Sequence, residues 1–166
     1  VQVVALVGFP LGTGEGDVKR YEAEVAVDLG AQEIELVLNL ADLKHGNHKA
    51  VLRELCDVLE AVDERPVCAV LETRALTRAE IANACALISD SGAHAVSTGT
   101  DFWPDTRVSA DDVKALREAL GPKFILKAAG NLRDSKTVLP LIEAGATRIG
   151  ASASVNAARR TPSLPG

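Results

Sequence analysis

The chain has 166 residues, of which 47% are hydrophobic and 25% charged, so it can bury one good core but is short for two domains. Its net charge of −5 at pH 7 is not gathered into a basic stripe, which argues against a nucleic acid or an anionic membrane as partner. No stretch approaches the ~20 apolar residues of a membrane span, and the three cysteines lack a metal-like spacing. We therefore expect a cytoplasmic single-domain protein with buried thiols and no metal or other cofactor.

Short runs rich in valine, isoleucine and leucine predict six strands that are covered on both faces. These runs span residues 3–8, 34–39, 67–72, 95–98, 124–128 and 148–150. Helical patterns alternate with them at residues 17–29, 48–62, 77–91, 109–120 and 135–144. Thr77 followed by Glu80, and Ser109 followed by Asp111 and Asp112, are typical of helix N-termini.

The dipeptide Gly-Ala joins a helical pattern to a strand-like run three times, at Gly30, Gly92 and Gly145. A glycine can take the left-handed conformation that ends a helix. Repeated joints of this kind predict parallel strands connected by crossover helices. The pattern alone leaves open an open doubly wound sheet or most of a barrel, and in both the functional site is expected at the carboxyl ends of the strands.

Polar residues of the second and third strands are candidates for that site. Glu35 lies between aliphatic residues, where a carboxylate has to be paired or solvated. It is either a salt-bridged interior acid or a proton-transfer group facing the mouth of a barrel, and Asn39 closes the same strand. The third strand ends with Glu72, Thr73 and Arg74, where we expect Thr73 to contact a ligand and leave open that Glu72 and Arg74 form a surface pair.

Lys127 is the sharpest candidate for a reacting group. Of the seven lysines it alone stands at the end of an apolar run, and the small residues that follow leave room for a ligand. Partial desolvation lowers the pKa of such an amine and leaves more of it neutral and nucleophilic, as in lysines that form Schiff bases. The alternative is a lysine that only pairs with Glu35 or binds phosphate.

Two glycine loops predict an anion site at the ends of the last two strands. Gly130 and Asn131 follow the fifth strand, and Gly150, Ala151 and Ser152 close the sixth. Adjacent loops of this type offer backbone N–H groups to a phosphate. The expected ligand is therefore a small molecule with an anionic tail.

Together these motifs resemble the 2-deoxyribose-5-phosphate aldolase family over residues 3–152. The resemblance rests on residues 7–12, 30–39, 71–77, 127–133 and 143–150. It implies a (β/α)8 barrel of TIM type whose first two strands precede residue 1. On this interpretation residues 1–154 form one N-terminally incomplete barrel domain and residues 155–166 a loose tail. The implied partner is a small phosphorylated carbonyl compound, with a homo-oligomer as an open option.

The resemblance also implies roles for single residues. In the family the Schiff-base lysine occupies the position of Ser97, the proton-relay aspartate that of Glu35, and another pocket lysine that of Cys68. Lys127 matches a lysine that assists the nucleophile. One hypothesis is an aldolase-type carbon–carbon lyase in which Lys127 forms the imine, Glu35 carries the proton and Ser97 shares the pocket. The other is a divergent member that binds a phosphorylated sugar or catalyses a different reaction.

Overall fold

Strands and helices alternate in the predicted order in the computed structural model, which describes residues 1–102, 107–130, 132 and 135–150. The strands are β1 Val4–Val7, β2 Glu33–Val37, β3 Val67–Val70, β4 Ala95–Ser97, β5 Ile125–Ala129 and β6 Arg148–Gly150. The helices are α1 Gly16–Asp28, α2 Leu40–Lys44, α3 His48–Ala61, α4 Arg78–Ser91, α5 Ala110–Leu120 and α6 Ser135–Glu143. No helix within these ranges combines the length and apolar character needed to cross a bilayer.

The six strands form one parallel sheet in chain order, from β1 to β6. The helices form a continuous row in which α1 packs on α3, α3 on α4, α4 on α5, and α5 on α6. A doubly wound sheet would place helices on both faces, whereas this row covers one face, as in a barrel. The prediction of six βα units of a barrel is confirmed, and every residue of β2, β3 and β4 is buried, as expected for strands covered on both faces.

The sheet curls strongly. Arg148 of β6 donates to the carboxylate of Glu33 in β2, although four strand spacings separate these two strands. In a flat sheet that separation would be about 19 Å, which is more than the two side chains can span. The contact therefore requires the sheet to bend around its helix-free face, which we call the inner face.

The three Gly-Ala joints have the predicted geometry. Gly30, Gly92 and Gly145 have φ angles of 101°, 84° and 111°, which lie in the region that favours glycine. In each joint the following alanine is buried under the next strand. The repeated dipeptide is thus a structural device of the fold.

The short helix α2 was not predicted from the sequence. Asn39 closes β2 and caps this helix, since its Oδ1 accepts hydrogen bonds from the N–H groups of Ala41 at 3.1 Å and Asp42 at 3.3 Å. A helix of this length has too few residues to show a periodic pattern. Asn39 therefore has a structural role, because it fixes the start of α2 after β2.

A buried ion pair ties α1 to α3 and to the sheet. Lys19 Nζ lies 2.7 Å from Glu54 Oε2 and 2.9 Å from the carbonyl oxygen of Val37, and the Lys19 side chain is only 1% exposed. A Cβ built on Gly8 would lie 2.9 Å from Lys19 Cε, so the glycine makes room for the lysine. Burial raises the pKa of Glu54, and the nearby Lys19 opposes that rise.

Candidate active site

The strand register places a row of polar side chains on the inner face. Glu35 pairs with Cys68, Ser97 with Lys127, and Lys127 with Arg148. Residues paired across parallel strands project to the same side, and alternate residues along a strand share a face. The outward positions of the same strands are aliphatic and belong to the core under the helices. The charged and reactive side chains are therefore concentrated on the face without helices.

Lys127 and Glu35 are in direct contact. Lys127 Nζ donates to Glu35 Oε1 across the curled face, between strands that are not neighbours in the sheet. The lysine side chain is 22% exposed and the glutamate 8% exposed. The lysine side chain is thus mostly buried, keeps a partly exposed surface, and is paired with a carboxylate through its amine. Glu35 is therefore a salt-bridged interior acid, and its carboxylate accepts a hydrogen bond from an amine.

Ser97 lies beside Lys127 on the neighbouring strand. It is fully buried, and its Oγ donates to the carbonyl oxygen of Gly99 at 3.3 Å. Cys68 is also fully buried on the inner face. Burial, followed by the charge of Glu35, raises the pKa of the Cys68 thiol far above its ordinary value, so this sulfur stays protonated. Glu35, Cys68, Ser97 and Lys127 therefore form one continuous patch.

Gly150 has a role that the sequence did not indicate. A Cβ built there would lie 2.5 Å from Lys127 Cε and 3.3 Å from Lys127 Nζ. Gly150 is paired with Ala129 at the end of the sheet, so a larger residue would push the lysine side chain away from its position. The absent side chain at residue 150 is what lets Lys127 reach Glu35.

The predicted phosphate cradle is only partly described. Gly130 directly follows β5 with a φ of 134°, and Gly150 ends β6. Asn131, Ala151 and Ser152 lie outside the described residues. Thr73 is buried at the end of β3, and Asn39 caps α2. The roles of these residues toward a ligand remain predictions.

Two features of the inner face were missed by sequence reasoning. The Glu33–Arg148 ion pair joins residues 115 positions apart, and no local pattern announces it. Glu72 does not pair with Arg74: its side chain is buried and accepts hydrogen bonds from the N–H and hydroxyl of Thr100, while Arg74 lies 3.6 Å from Asp112. A positive φ of 51° at Glu72 could not be foreseen for a residue with a side chain.

Comparison with known proteins gives close relatives. The deoxyribose-phosphate aldolase of Alkaliphilus oremlandii is 41% identical over 157 residues, which are 94% of this chain and 70% of the relative. That of Natranaerobius thermophilus is 42% identical over 156 residues, with coverage of 93% and 70%. No family model matches the chain.

Solved structures agree with this similarity. An aldolase named QR15 has a TM-score of 0.91 and 33% identity, and the match covers 96% of this chain and 72% of that one. The deoxyribose phosphate aldolase of Aeropyrum pernix, described as having a unique tetrameric structure, has a TM-score of 0.87 and 26% identity, with coverage of 96% and 67%. The similarity therefore extends over nearly all of the present chain in both sequence and fold.

Proposed function

Because the chain belongs to the deoxyribose-phosphate aldolase family, we propose that it is an aldolase-type carbon–carbon lyase for a small phosphorylated aldehyde or sugar such as 2-deoxyribose 5-phosphate. The observation that carries the proposal is the contact between Lys127 Nζ and Glu35 Oε1 on the inner face. It brings an amine and a carboxylate together on the inner face, and the lysine side chain is 22% exposed. These are the two groups that imine chemistry requires.

The proposed reaction begins with a proton transfer. Lys127 gives a proton to Glu35, and the free amine attacks the carbonyl carbon of the substrate. Loss of water from the resulting carbinolamine gives a protonated imine. A base then takes the proton of the substrate hydroxyl, the carbon–carbon bond breaks, and its electron pair moves into the imine to give an enamine. Protonation of the enamine and hydrolysis by water return the amine and release the second aldehyde.

The phosphate of the substrate is proposed to lie against the loops after β5 and β6. The residues in this role are Gly130, Asn131, Gly150, Ala151 and Ser152, with Thr73 and Asn39 as further ligand contacts. Backbone N–H groups suit this role because the chain as a whole carries a charge of −5 and lacks a basic stripe. Self-association into a homo-oligomer and a cytoplasmic location are part of the same proposal, and the first is tested by sedimentation.

Chemical trapping tests the proposed amine. The protein is incubated with acetaldehyde or 2-deoxyribose 5-phosphate, reduced with borohydride and weighed by mass spectrometry. We expect peptide mapping to find Lys127 modified faster than the other lysines in the wild type and in Lys123→Ala, which removes an exposed lysine just before β5, and only slow background modification in Lys127→Ala. Modification of Lys127 no faster than that of the exposed lysines would contradict the assignment.

A second candidate function is binding of a phosphorylated sugar without imine chemistry. One observation favours it: Ser97, whose hydroxyl cannot form an imine, occupies the position that the family resemblance gives to the Schiff-base lysine. On this hypothesis calorimetry detects 2-deoxyribose 5-phosphate binding while borohydride traps nothing. The double substitution Ser97→Lys with Glu35→Asp is then expected to create aldol cleavage, and continued inactivity would contradict the proposed alignment of β4.

A further inference from the structure

A small cavity lies beyond the Lys127–Glu35 contact, at the carboxyl ends of β3, β4 and β5. It has a volume of about 10 Å³, which suits a single water molecule or one hydroxyl group. Its lining includes Glu72, Thr73, Thr98, Gly99 and Gly130. Gly130 is three residues beyond Lys127, about 10 Å along an extended strand, and neither Lys127 nor Glu35 lines the cavity, which therefore lies at the strand ends beyond their contact.

Thr73 presents an unused hydroxyl group at this cavity. The residue is 2% exposed, and its Oγ1 is one of two buried side-chain polar atoms without a hydrogen-bond partner among the described residues. The other threonine of the lining is satisfied, because Thr98 Oγ1 donates to the carbonyl oxygen of Ala129 at 2.8 Å and accepts from its N–H at 2.9 Å. A buried hydroxyl without a partner destabilises the folded protein, so a water molecule or a ligand hydroxyl group bound in the cavity would stabilise it.

Glu72 supplies a carboxylate to the wall of the same cavity. Its Oε1 accepts hydrogen bonds from the N–H and hydroxyl groups of Thr100, and these bonds tie Glu72 to the loop after β4. Its Oε2 lies close to Gly99, where a built Cβ would be 3.0 Å from this oxygen. The left-handed backbone of Glu72, with φ 51° and ψ 58°, is unfavourable for a residue with a side chain. Such strain is expected where a side chain has to be aimed at a defined place.

We propose that this cavity receives a hydroxyl group of the substrate, with Thr73 Oγ1 as hydrogen-bond donor and the Glu72 carboxylate as acceptor. A hydroxyl group both donates and accepts hydrogen bonds, so it can pair with Thr73 Oγ1 and with the Glu72 carboxylate at once, on a wall that also includes Arg74 and Asp101. The phosphorylated sugars already proposed as substrates carry such hydroxyl groups. This inference rests on the proposed function, because it places the hydroxyl relative to Lys127.

Calorimetry with two probes tests the inference. Glyceraldehyde 3-phosphate and 3-oxopropyl phosphate differ by one hydroxyl group. We expect the wild type to bind the hydroxylated probe about tenfold more tightly, since the second probe leaves the polar wall unpaired. Thr73→Val should reduce the ratio of the two Kd values to about one, and the matched variant Thr73→Ser should keep it. Equal Kd values in the wild type, or an unchanged ratio in Thr73→Val, would overturn the inference.

Thermal unfolding of Thr73→Val separates a ligand role from a structural one. Valine has the shape of threonine without the hydroxyl, so removal of an unpaired group should leave Tm unchanged or higher. A clearly lower Tm would show that the hydroxyl bonds within the protein and would overturn the inference.

The proposed function can fail separately. If neither probe binds the wild type, the function is wrong, and crystal structures of the unliganded wild type and Thr73→Val then test the cavity. A water bound to Thr73 Oγ1 and Glu72 in the wild type only would support the hydroxyl site, whereas a dry cavity in the wild type would overturn it.

Discussion

The molecule contains two buried or half-buried lysine–glutamate pairs with opposite surroundings. Lys19 and Glu54 lie between the helices and the sheet, where the lysine side chain is 1% exposed and also donates to a backbone carbonyl. Lys127 and Glu35 lie on the inner face, where the lysine side chain is 22% exposed. The same two side chains thus serve to fix a helix in one place and remain accessible to a small molecule in the other.

The difference follows from what covers each face of the sheet. The outer face is sealed by the row of helices, so the polar atoms of Lys19 have to be satisfied within the protein. The inner face is bordered by polar residues and backbone loops at the strand ends. The two lysine–glutamate pairs therefore differ in the exposure of the lysine side chain rather than in the burial of the glutamate.

The largest expected effect is on stability. Lys19→Met should lower the free energy of unfolding by about 3 kcal/mol, because it leaves the Glu54 carboxylate buried without its cation. Lys127→Met should cost about 1 kcal/mol, because the Lys127 side chain is 22% exposed against 1% for Lys19, although the two carboxylates are almost equally buried, with 8% and 7% exposed. Urea unfolding at neutral pH measures both, and equal losses would remove the distinction between the two pairs.

The pH dependence of stability should expose the cost of burying Glu54. Since burial raises its pKa above the ordinary value of 4.5, the folded protein binds this proton more tightly than the unfolded chain. The contribution of Glu54 to stability is therefore largest below pH 4.5 and falls as the pH rises through the raised pKa. We expect the free energy of unfolding of the wild type to fall relative to that of Glu54→Gln over this rise. If the free energy of unfolding of the wild type instead rises relative to that of Glu54→Gln with increasing pH, the raised pKa of Glu54 is contradicted.

Gly150→Ala should act mainly on the inner pair, although the new Cβ would also lie 3.1 Å from Ala129 Cβ. The new Cβ would displace the Lys127 side chain, and we expect borohydride trapping to slow about tenfold while the fold is kept. Gly14→Ala is the matched control, because no atom lies within 4 Å of a Cβ built there. Trapping at the wild-type rate in Gly150→Ala would show that Lys127 does not need the space left by the missing side chain at residue 150.

The smallest effect is expected at the second ion pair of the inner face. Glu33 is only 5% exposed, but Arg148 is 39% exposed, so solvent already reaches this ion pair and Arg148→Met should cost about 0.5 kcal/mol by urea unfolding. A loss as large as that of Lys19→Met would show that the curled sheet depends on this cross-barrel contact.

Local features of the fold could be predicted from the sequence because they depend on neighbours in the chain. The three Gly-Ala joints, the apolar strands and the caps at Thr77 and Ser109 all appear as expected. Features that depend on curvature could not be predicted. The contact of Glu35 with Lys127 requires strands that are three positions apart in the sheet to face each other. The sequence indicated both residues, but their pairing was only one of the alternatives for Lys127.

Side chains with unexpected surroundings were the other class of failure. Lys19 lies in an ordinary helical stretch, and only the packing of α1 on α3 and β2 shows that it is buried. Glu72 was interpreted as half of a surface pair, because no local pattern indicates a left-handed backbone followed by a turn. Long-range packing decides both cases.

Reductive methylation of the native protein compares the two lysines most directly. Formaldehyde and borohydride are applied briefly, and the modified positions are mapped by mass spectrometry of peptides. The account predicts that Lys127 is methylated in the native state and that Lys19 is methylated only after unfolding. Protection of Lys127 to the same degree as Lys19 would contradict the claim that the inner pair holds an accessible amine.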